Sequence, residues 1–164
     1  MTHTLTGIHT EVLHTRPTAV VDATLTVPEI GPWLATVFGD VATAVAAQGS
    51  QLAGPPFARY LQHDDDRFTV EAGFPVVTGI TPAGEVRPST LPGGTVATTT
   101  HIGPYEEMEP TYRSLIAWVA EQGGELDGAP WEIYLSDPNE QPDPSTWRTE
   151  VRQPYRAAGG GGRA

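Results

Sequence analysis

An acidic residue lies inside a short apolar segment late in the chain, where Trp131, Glu132, Ile133 and Tyr134 follow one another. Strand alternation places Glu132 and Tyr134 on one face of this segment and their two neighbours on the other. A carboxylate in the middle of a core strand is costly unless it is paired or used. We therefore take Glu132 as the leading candidate for a functional charge, with a solvated strand face as the alternative.

Aromatic side chains form the second part of the predicted site. A lipophilic cation is held by ring faces and a buried negative charge acting together, so rings near Glu132 would line a cation pocket. The tyrosines that we favour as lining residues are Tyr134, Tyr105 and Tyr60. Three tryptophans are weaker candidates: Trp33, Trp118 and Trp131. Helical spacing is more typical of core residues, and it assigns to the core Phe38, Tyr112 and Trp118.

Glu150 is a second acid, on the strand expected next to Glu132. It either shares the site with Glu132 or forms an ion pair with Arg152 or Arg148. His101 lies at the end of a predicted strand, where a buried histidine bonded to backbone is favoured over an acid–base role.

The run His63-Asp64-Asp65-Asp66 superficially suggests a metal site. It falls in a predicted turn, where adjacent carboxylates are usually solvated, and no His-x-x-x-His or EF-hand pattern accompanies it. The sequence also carries no phosphate-binding loop, no Gly-x-Ser-x-Gly and no dinucleotide motif. We therefore predict no metal and no cofactor.

Charge and composition narrow the classes of partner. The 164 residues include 9 Lys and Arg against 20 Asp and Glu, a formal net charge of −11. Binding to nucleic acid or to an anionic membrane relies on basic residues, so neither partner is expected. The absence of Cys excludes disulfides and thiolate chemistry. No segment approaches 18 apolar residues, which predicts a soluble cytoplasmic protein.

An internal repeat organises the chain. The segment 54–60, Gly-Pro-Pro-Phe-Ala-Arg-Tyr, reappears as Gly-Ala-Pro-Trp-Glu-Ile-Tyr at 128–134. Gln48-Gly49 maps at the same spacing onto Gln122-Gly123. In this alignment the mate of Glu132 is Ala58, so the two copies differ by an acid at the candidate site. We take Ala58 as part of the lining for this reason.

Each copy reads strand, helix, strand, strand. Apolar residues at helical spacing predict helices over 28–48 and 104–122, each ending at a glycine suited to the left-handed residue after a helix. Stretches rich in β-branched residues predict strands at 18–27 and 94–101. The predicted fold is α+β: duplicated βαββ units around a pseudo-twofold axis. It has an antiparallel sheet, helices on one side and a ligand cleft between the copies.

The predicted domain is single and covers residues 10–156, with the first repeat at about 10–80 and the second at about 90–156. Linker-like composition predicts a flexible N-terminus over 1–9 and a disordered tail over 157–164. Residues 81–90 are read as the connection between the repeats.

Three motifs in order carry a family resemblance: HxGPYE at 101–106, PxEIYLxDP at 130–138 and TEVRxP at 149–154. With them the chain resembles the GyrI-like effector-binding family, as a free-standing member. The resemblance implies a duplicated βαββ fold whose cleft receives bulky, lipophilic, often cationic small molecules. It also implies an acidic side chain at the bottom of an aromatic-lined pocket, at the position of Glu132.

Three functions stay open on the sequence. The first is a protein that binds or sequesters a lipophilic small molecule. The second, implied by hydrolases within the resembled family, is hydrolysis of strained electrophiles such as cyclopropane-bearing DNA alkylators. Glu132 would be the general base, with Tyr105 or Tyr134 donating to the developing charge. The third is an acidic protein-interaction module, against which the scattered charges favour simple solubility. The sequence does not determine the oligomeric state.

Overall fold

The computed structural model describes residues 4–5, 7–104, 107–136 and 140–157. Within these ranges the paired strands are antiparallel and two α-helices accompany them, so the predicted α+β class is confirmed. The elements in chain order are β1 (Thr4–Leu5), β2 (His9–Leu13), β3 (Arg16–Thr26), α1 (Val27–Ala47), β4 (Phe57–Asp64), β5 (Arg67–Pro75), β6 (Arg87–Leu91), β7 (Gly94–Ile102), α2 (Met108–Glu121), β8 (Gly124–Leu126), β9 (Trp131–Tyr134) and β10 (Arg148–Ala157). They divide into two compact units, His14–Gly93 and the rest of the chain.

In the unit His14–Gly93, β3 is central and pairs with both β5 and β6, while β4 pairs with the outer side of β5. Helix α1 buries Val37, Val41 and Val45, whose spacing of four residues places them on one face of the helix. Phe38 of this helix meets Phe74 of β5 edge to face, with ring centroids 5.8 Å apart. The apolar stripe of α1 thus packs on one side of this sheet.

Local capping chemistry sets the ends of both helices. The backbone N–H of Thr26 donates to the Glu29 carboxylate at 2.9 Å, which satisfies one of the donors left open at the start of α1. Gly49 and Gly123 follow the two helices, each with a φ of 77°. This left-handed conformation favours glycine, as the sequence predicted.

Helix α1 is also apolar enough, by length and composition, to cross a membrane. Its most apolar 18-residue window has a mean hydropathy of 1.4, and 17% of that window is buried. A helix packed on the core of a water-soluble protein can have the same composition, so this finding by itself assigns no membrane.

The second unit is built around β7 and β10, which pair over seven residues. β1 and β2 pair with the other side of β7, and β9 and β8 pair with β10. Helix α2 packs on one face of this sheet through an apolar cluster of five buried residues: Ala97, Met108, Leu115, Val119 and Val151. This cluster fixes α2 above β7 and β10.

The structure corrects three expectations drawn from composition. Residues 1–9 were expected to be flexible, yet Thr4–Leu5 and His9 pair with β7. The connection predicted at 81–90 contains most of β6, which pairs with β3. The tail was expected to begin at Ala157, which instead pairs with Gly124. In each case sheet pairing overrides a weak local preference.

Gly73 lies where β5 passes very close to β3. A Cβ added to Gly73 would overlap the backbone oxygen of Ala19. We expect Gly73→Ala to destabilise the protein by about 3 kcal/mol, because packed backbone has no flexible atom to move away. This corresponds to a Tm lower by about 10 °C, measurable by calorimetry. Gly79→Ala is the control, since nothing lies within 4 Å of that position; equal Tm values for the two variants would contradict the expectation.

The cap of α1 predicts a pH dependence. The Thr26 N–H that donates to Glu29 lowers the pKa of this carboxyl below its usual 4.5. Its stabilisation is therefore complete above pH 4.5 and is lost as the pH falls through the lower pKa of the folded state. Urea unfolding of wild type and Glu29→Gln should show a larger difference in unfolding free energy at pH 6 than at pH 3. The same difference at both pH values would exclude the charged cap.

Candidate functional site

Strand register places Glu132 on the helix-covered face of its sheet. Glu132 lies opposite Val151 of β10, and Tyr134 lies opposite Thr149. Residues directly opposite each other in an antiparallel pair share a face, and Val151 packs against α2. Glu132 and Tyr134 therefore point toward α2, while Trp131 and Ile133 point to the other side of the sheet. The predicted alternation of this segment agrees with the register.

Two tyrosine hydroxyls hold the Glu132 carboxylate. Tyr112 of α2 donates to Oε2 at 2.6 Å, and Tyr134 of the same strand donates to Oε1 at 2.8 Å. Glu132 is 8% exposed and Tyr134 is 9% exposed. Each carboxylate oxygen thus accepts one short O–H bond. Such charge-assisted bonds are stronger than neutral ones and offset part of the cost of burying the acid.

The arrangement places the carboxyl group of Glu132 within hydrogen-bond distance of two phenol hydroxyls. An ionised carboxylate accepts both hydroxyl bonds, and the phenol rings that donate them are themselves apolar surfaces for a ligand. A cation held here would gain from the carboxylate and from the ring faces together. A carboxylate in this setting is also a candidate general base toward a water molecule.

Beside this pair, His101 joins β7 to α2. His101 is fully buried; its Nε2 lies 3.1 Å from the Pro104 carbonyl oxygen and its Nδ1 lies 2.8 Å from the Thr111 hydroxyl. A carbonyl oxygen only accepts, so Nε2 carries the proton. In the neutral ring Nδ1 then accepts from Thr111. The histidine is bonded to backbone, the alternative favoured from the sequence.

Glu150 lies on the opposite face of the sheet from Glu132. Its partner in register on β9 is Ile133, and its Oε1 is 3.4 Å from a guanidinium nitrogen of Arg152. The same guanidinium nitrogen lies 3.3 Å from Glu11. Of the two alternatives left by the sequence, the geometry shows the ion pair and not a carboxylate shared with Glu132.

The series of ion pairs from Glu150 through Arg152 ends at Glu11 on β2. Glu11 accepts a hydrogen bond from His9 at 2.8 Å, and this bond raises the pKa of His9 above its usual 6.5. These charged groups are on the face away from α2, so they do not contribute to the carboxylate–tyrosine site.

Two candidate tryptophans of this unit, Trp118 and Trp131, have structural surroundings. Trp118 packs against the apolar cluster under α2 and meets Tyr155 edge to face at 6.1 Å. Trp131 is 1% exposed and lies opposite Arg152, on the face away from Glu132. The structure thus places Trp131 on the opposite face of the sheet from Glu132, and Trp118 against the apolar cluster.

The remaining predicted site residues are in the other unit, apart from Tyr105, which lies outside the described residues. Tyr60 of β4 is half-buried and packs edge to face on Phe68 at 5.9 Å. Ala58 is fully buried opposite Ala72, and Trp33 is half-buried on α1.

Tyr112 is the site residue that the sequence analysis assigned to the core. A signal for it was present, because Tyr112 aligns with Phe38 in the same repeat register that aligns Glu132 with Ala58. A hydroxyl and a carboxylate therefore occur together in one copy, where the other copy has neither. A buried tyrosine hydroxyl needs a partner, and this paired difference points to Glu132 as that partner.

Two other kinds of site, a metal site and a surface groove, have weaker support. Among the described residues no group of three or more His, Asp or Glu side chains could hold a metal ion. A groove of about 420 Å³ lies beside α1, with Val21, Ala44 and Val86 among its lining residues and Asp40 and Glu85 as its acids. No predicted site residue lines it.

The chain has known relatives in fold. The model of a family described as the GyrI-like small molecule binding domain matches residues 10–156. Three solved structures resemble the chain over most of its length. The EcmrR C-terminal domain has a TM-score of 0.78 and 20% identity, covering 93% of this chain and 98% of its own. A hydrolase encoded by lin2189 from Listeria innocua has a TM-score of 0.70 and 16% identity, covering 91% of each chain.

The third structure, SAV2435 bound to tetraphenylphosphonium, has a TM-score of 0.60 and 13% identity, covering 92% of this chain and 94% of its own. None of the curated proteins matches the chain in sequence. At these identities the solved structures show a common fold, while the family model covers nearly the whole sequence. The chain therefore belongs to the GyrI-like small molecule binding domain family.

Proposed function

We propose that this protein binds bulky lipophilic small molecules that are cationic or aromatic, and that Glu132 supplies the complementary charge. The observation that carries the proposal is the buried Glu132 carboxylate, held by the hydroxyls of Tyr112 and Tyr134. A buried acid is costly to maintain. Its retention between two aromatic rings suits a ligand that brings a diffuse positive charge and apolar surface.

The physical chemistry favours such a ligand over a small hydrated cation. A bulky organic cation is weakly hydrated, so it loses little on entering an aromatic site, and cation–π attraction adds to the charge pairing. Two tyrosine hydroxyls keep the carboxylate oriented before binding, which reduces the ordering cost. Support also comes from SAV2435, a structural relative solved with tetraphenylphosphonium, a cation of this class.

We also propose that the two units arose as copies of one βαββ element. Each unit, taken by itself, runs strand, helix, strand, strand, as β3-α1-β4-β5 and as β7-α2-β9-β10, with the short β8 added after α2. Each helix is followed by a glycine with the same φ. In this proposal the binding charge was acquired by one copy only, since Ala58 stands where the other has Glu132.

Tetraphenylphosphonium binding tests the role of Glu132. We expect Glu132→Gln to raise the Kd for this cation at least about tenfold, because the mutation removes the charge but keeps the shape. Isothermal titration calorimetry measures both Kd values. Glu109→Gln is the matched control: it makes the same charge change on an exposed residue of α2, and its Kd should equal that of wild type.

A neutral ligand of similar shape, triphenylphosphine oxide, distinguishes the contribution of charge to affinity from the contribution of apolar contact. Wild type should prefer the cation, and this preference should disappear in Glu132→Gln. Equal loss of affinity for both ligands would attribute the effect to packing, and an unchanged Kd for the cation would exclude Glu132 from the site.

A second candidate function is hydrolysis of a strained electrophile. The pairing of a buried carboxylate with two O–H donors favours it, and a structural relative from Listeria innocua is described as a hydrolase. Glu132 would take a proton from a water molecule while the water oxygen bonds to a cyclopropane carbon. The ring C–C bond breaks, its electron pair moves to a conjugated carbonyl oxygen, and that oxygen receives the proton.

Mass spectrometry tests this reaction. We expect wild type to convert a cyclopropane-bearing cyclohexadienone to a product heavier by one water, and Glu132→Gln to lose at least about a hundredfold in rate, as for removal of a general base. Glu109→Gln should retain the wild-type rate. Turnover that persists in Glu132→Gln would exclude the general-base role, and binding without turnover in wild type would leave the binding function alone.

A further inference from the structure

We propose that His101 and Thr111 are positioning residues for the site: their hydrogen bond fixes the rotation of α2, and so aims the Tyr112 hydroxyl at Glu132. This inference rests on the proposed binding function for its effect on affinity. Its structural part, the aim of one hydroxyl, can be measured without any ligand.

The geometry begins with the order of strands under α2. β10 is paired on one side with β7 and on the other with β9. His101 is on β7 and Glu132 is on β9, so the two partners of α2 lie on either side of β10. Both point to the helix face, since Thr149 is opposite both His101 and Tyr134, and Val151 is opposite Glu132. The helix therefore lies above β10 with a polar partner on each flank.

Two consecutive residues of α2 reach these partners. Side chains of adjacent residues on an α-helix diverge by about 100° around its axis. Thr111 turns toward β7, where it bonds His101 at 2.8 Å, and Tyr112 turns toward β9, where it bonds Glu132 at 2.6 Å. Any rotation of α2 that lengthens one bond displaces the other, so the two bonds constrain the same degree of freedom.

The apolar contacts under α2 are less directional than this hydrogen bond. Met108, Leu115 and Val119 pack against Ala97 and Val151, and apolar packing is proportional to area and tolerates small rotations. A hydrogen bond between two fully buried groups is sensitive to distance and angle. His101 and Thr111 are both 0% exposed. Their bond is therefore suited to set the rotation that the apolar cluster leaves loose.

His101 is itself held from the other side. Its Nε2 donates to the Pro104 carbonyl, which precedes the segment entering α2. The ring is therefore fixed between the loop and the helix, and Nδ1 presents its lone pair in one direction. This makes His101 a rigid reference on β7, which a longer flexible side chain would not provide.

The ligand-free test is proton NMR of the Tyr112 hydroxyl, identified by its disappearance in Tyr112→Phe. Thr111→Val removes the hydroxyl that bonds His101 with almost no change of shape, and we expect the downfield hydroxyl resonance to shift or to broaden from exchange. Thr111→Ser should restore it. Thr149→Val is the matched control, because Thr149 is equally buried in the same cross-strand row and its hydroxyl has no hydrogen-bond partner.

The binding test is a double-mutant cycle with tetraphenylphosphonium. We expect Thr111→Val to raise the Kd about three- to tenfold in the wild-type background, the size of one misaligned hydrogen bond. In the Tyr112→Phe background the same change should have less than a twofold effect, because the bond that it aims is already gone. A role in general stability would weaken binding equally in both backgrounds.

The outcomes are distinguishable. An unchanged Tyr112 hydroxyl resonance in Thr111→Val, or equal effects on Kd in both backgrounds, would overturn the positioning role. If Thr111→Val does not fold, His101→Gln, which keeps a donor for Pro104 and removes the Nδ1 acceptor, provides the same two measurements. If wild type does not bind the cation, the proposed function fails on this ligand, and the hydroxyl resonance alone decides the positioning role.

Discussion

The site depends on the hydrogen bonds that two tyrosine hydroxyls donate to one buried carboxylate. Glu132 is nearly enclosed, and the bonds at 2.6 and 2.8 Å offset part of the cost of removing its charge from water. One donor comes from its own strand and the other from the helix above. A change in the height or rotation of α2 would therefore leave the carboxylate with a poorer partner, so helix packing and site chemistry are linked.

The unit that contains the site meets this requirement with two kinds of contact. An apolar cluster under α2 supplies most of the burial, and polar bonds on either side of β10 supply direction. In the other unit the positions that align with Tyr112 and Glu132 hold apolar residues. There Phe38 packs on Phe74, and Ala58 is buried beside Ala72. The same order of elements thus carries an apolar ring contact in one unit and a tyrosine–carboxylate cluster in the other.

The charged residues on the face away from α2 show that acids on neighbouring strands can have different surroundings. Glu150 lies one strand away from Glu132, yet the antiparallel register places the two carboxylates on opposite sides of the sheet. Arg152 then pairs with both Glu150 and Glu11, so each of these carboxylates has a cationic partner on that face. Only the register, and not the spacing along the chain, shows that Glu150 pairs with an arginine while Glu132 faces the tyrosines under α2.

Much of the fold follows from the sequence. Periodicity predicted both helices, the glycines that end them, and the central strands, because these signals are local and repeat in both copies. Alternation alone placed Glu132 and Tyr134 on one face. Tertiary structure decided what alternation cannot: that Tyr112, which helical spacing assigned to the core, reaches across to Glu132, and that residues at 4–5 and 87–91 form strands. Such contacts join segments distant in sequence, where pairing and packing outweigh local preference.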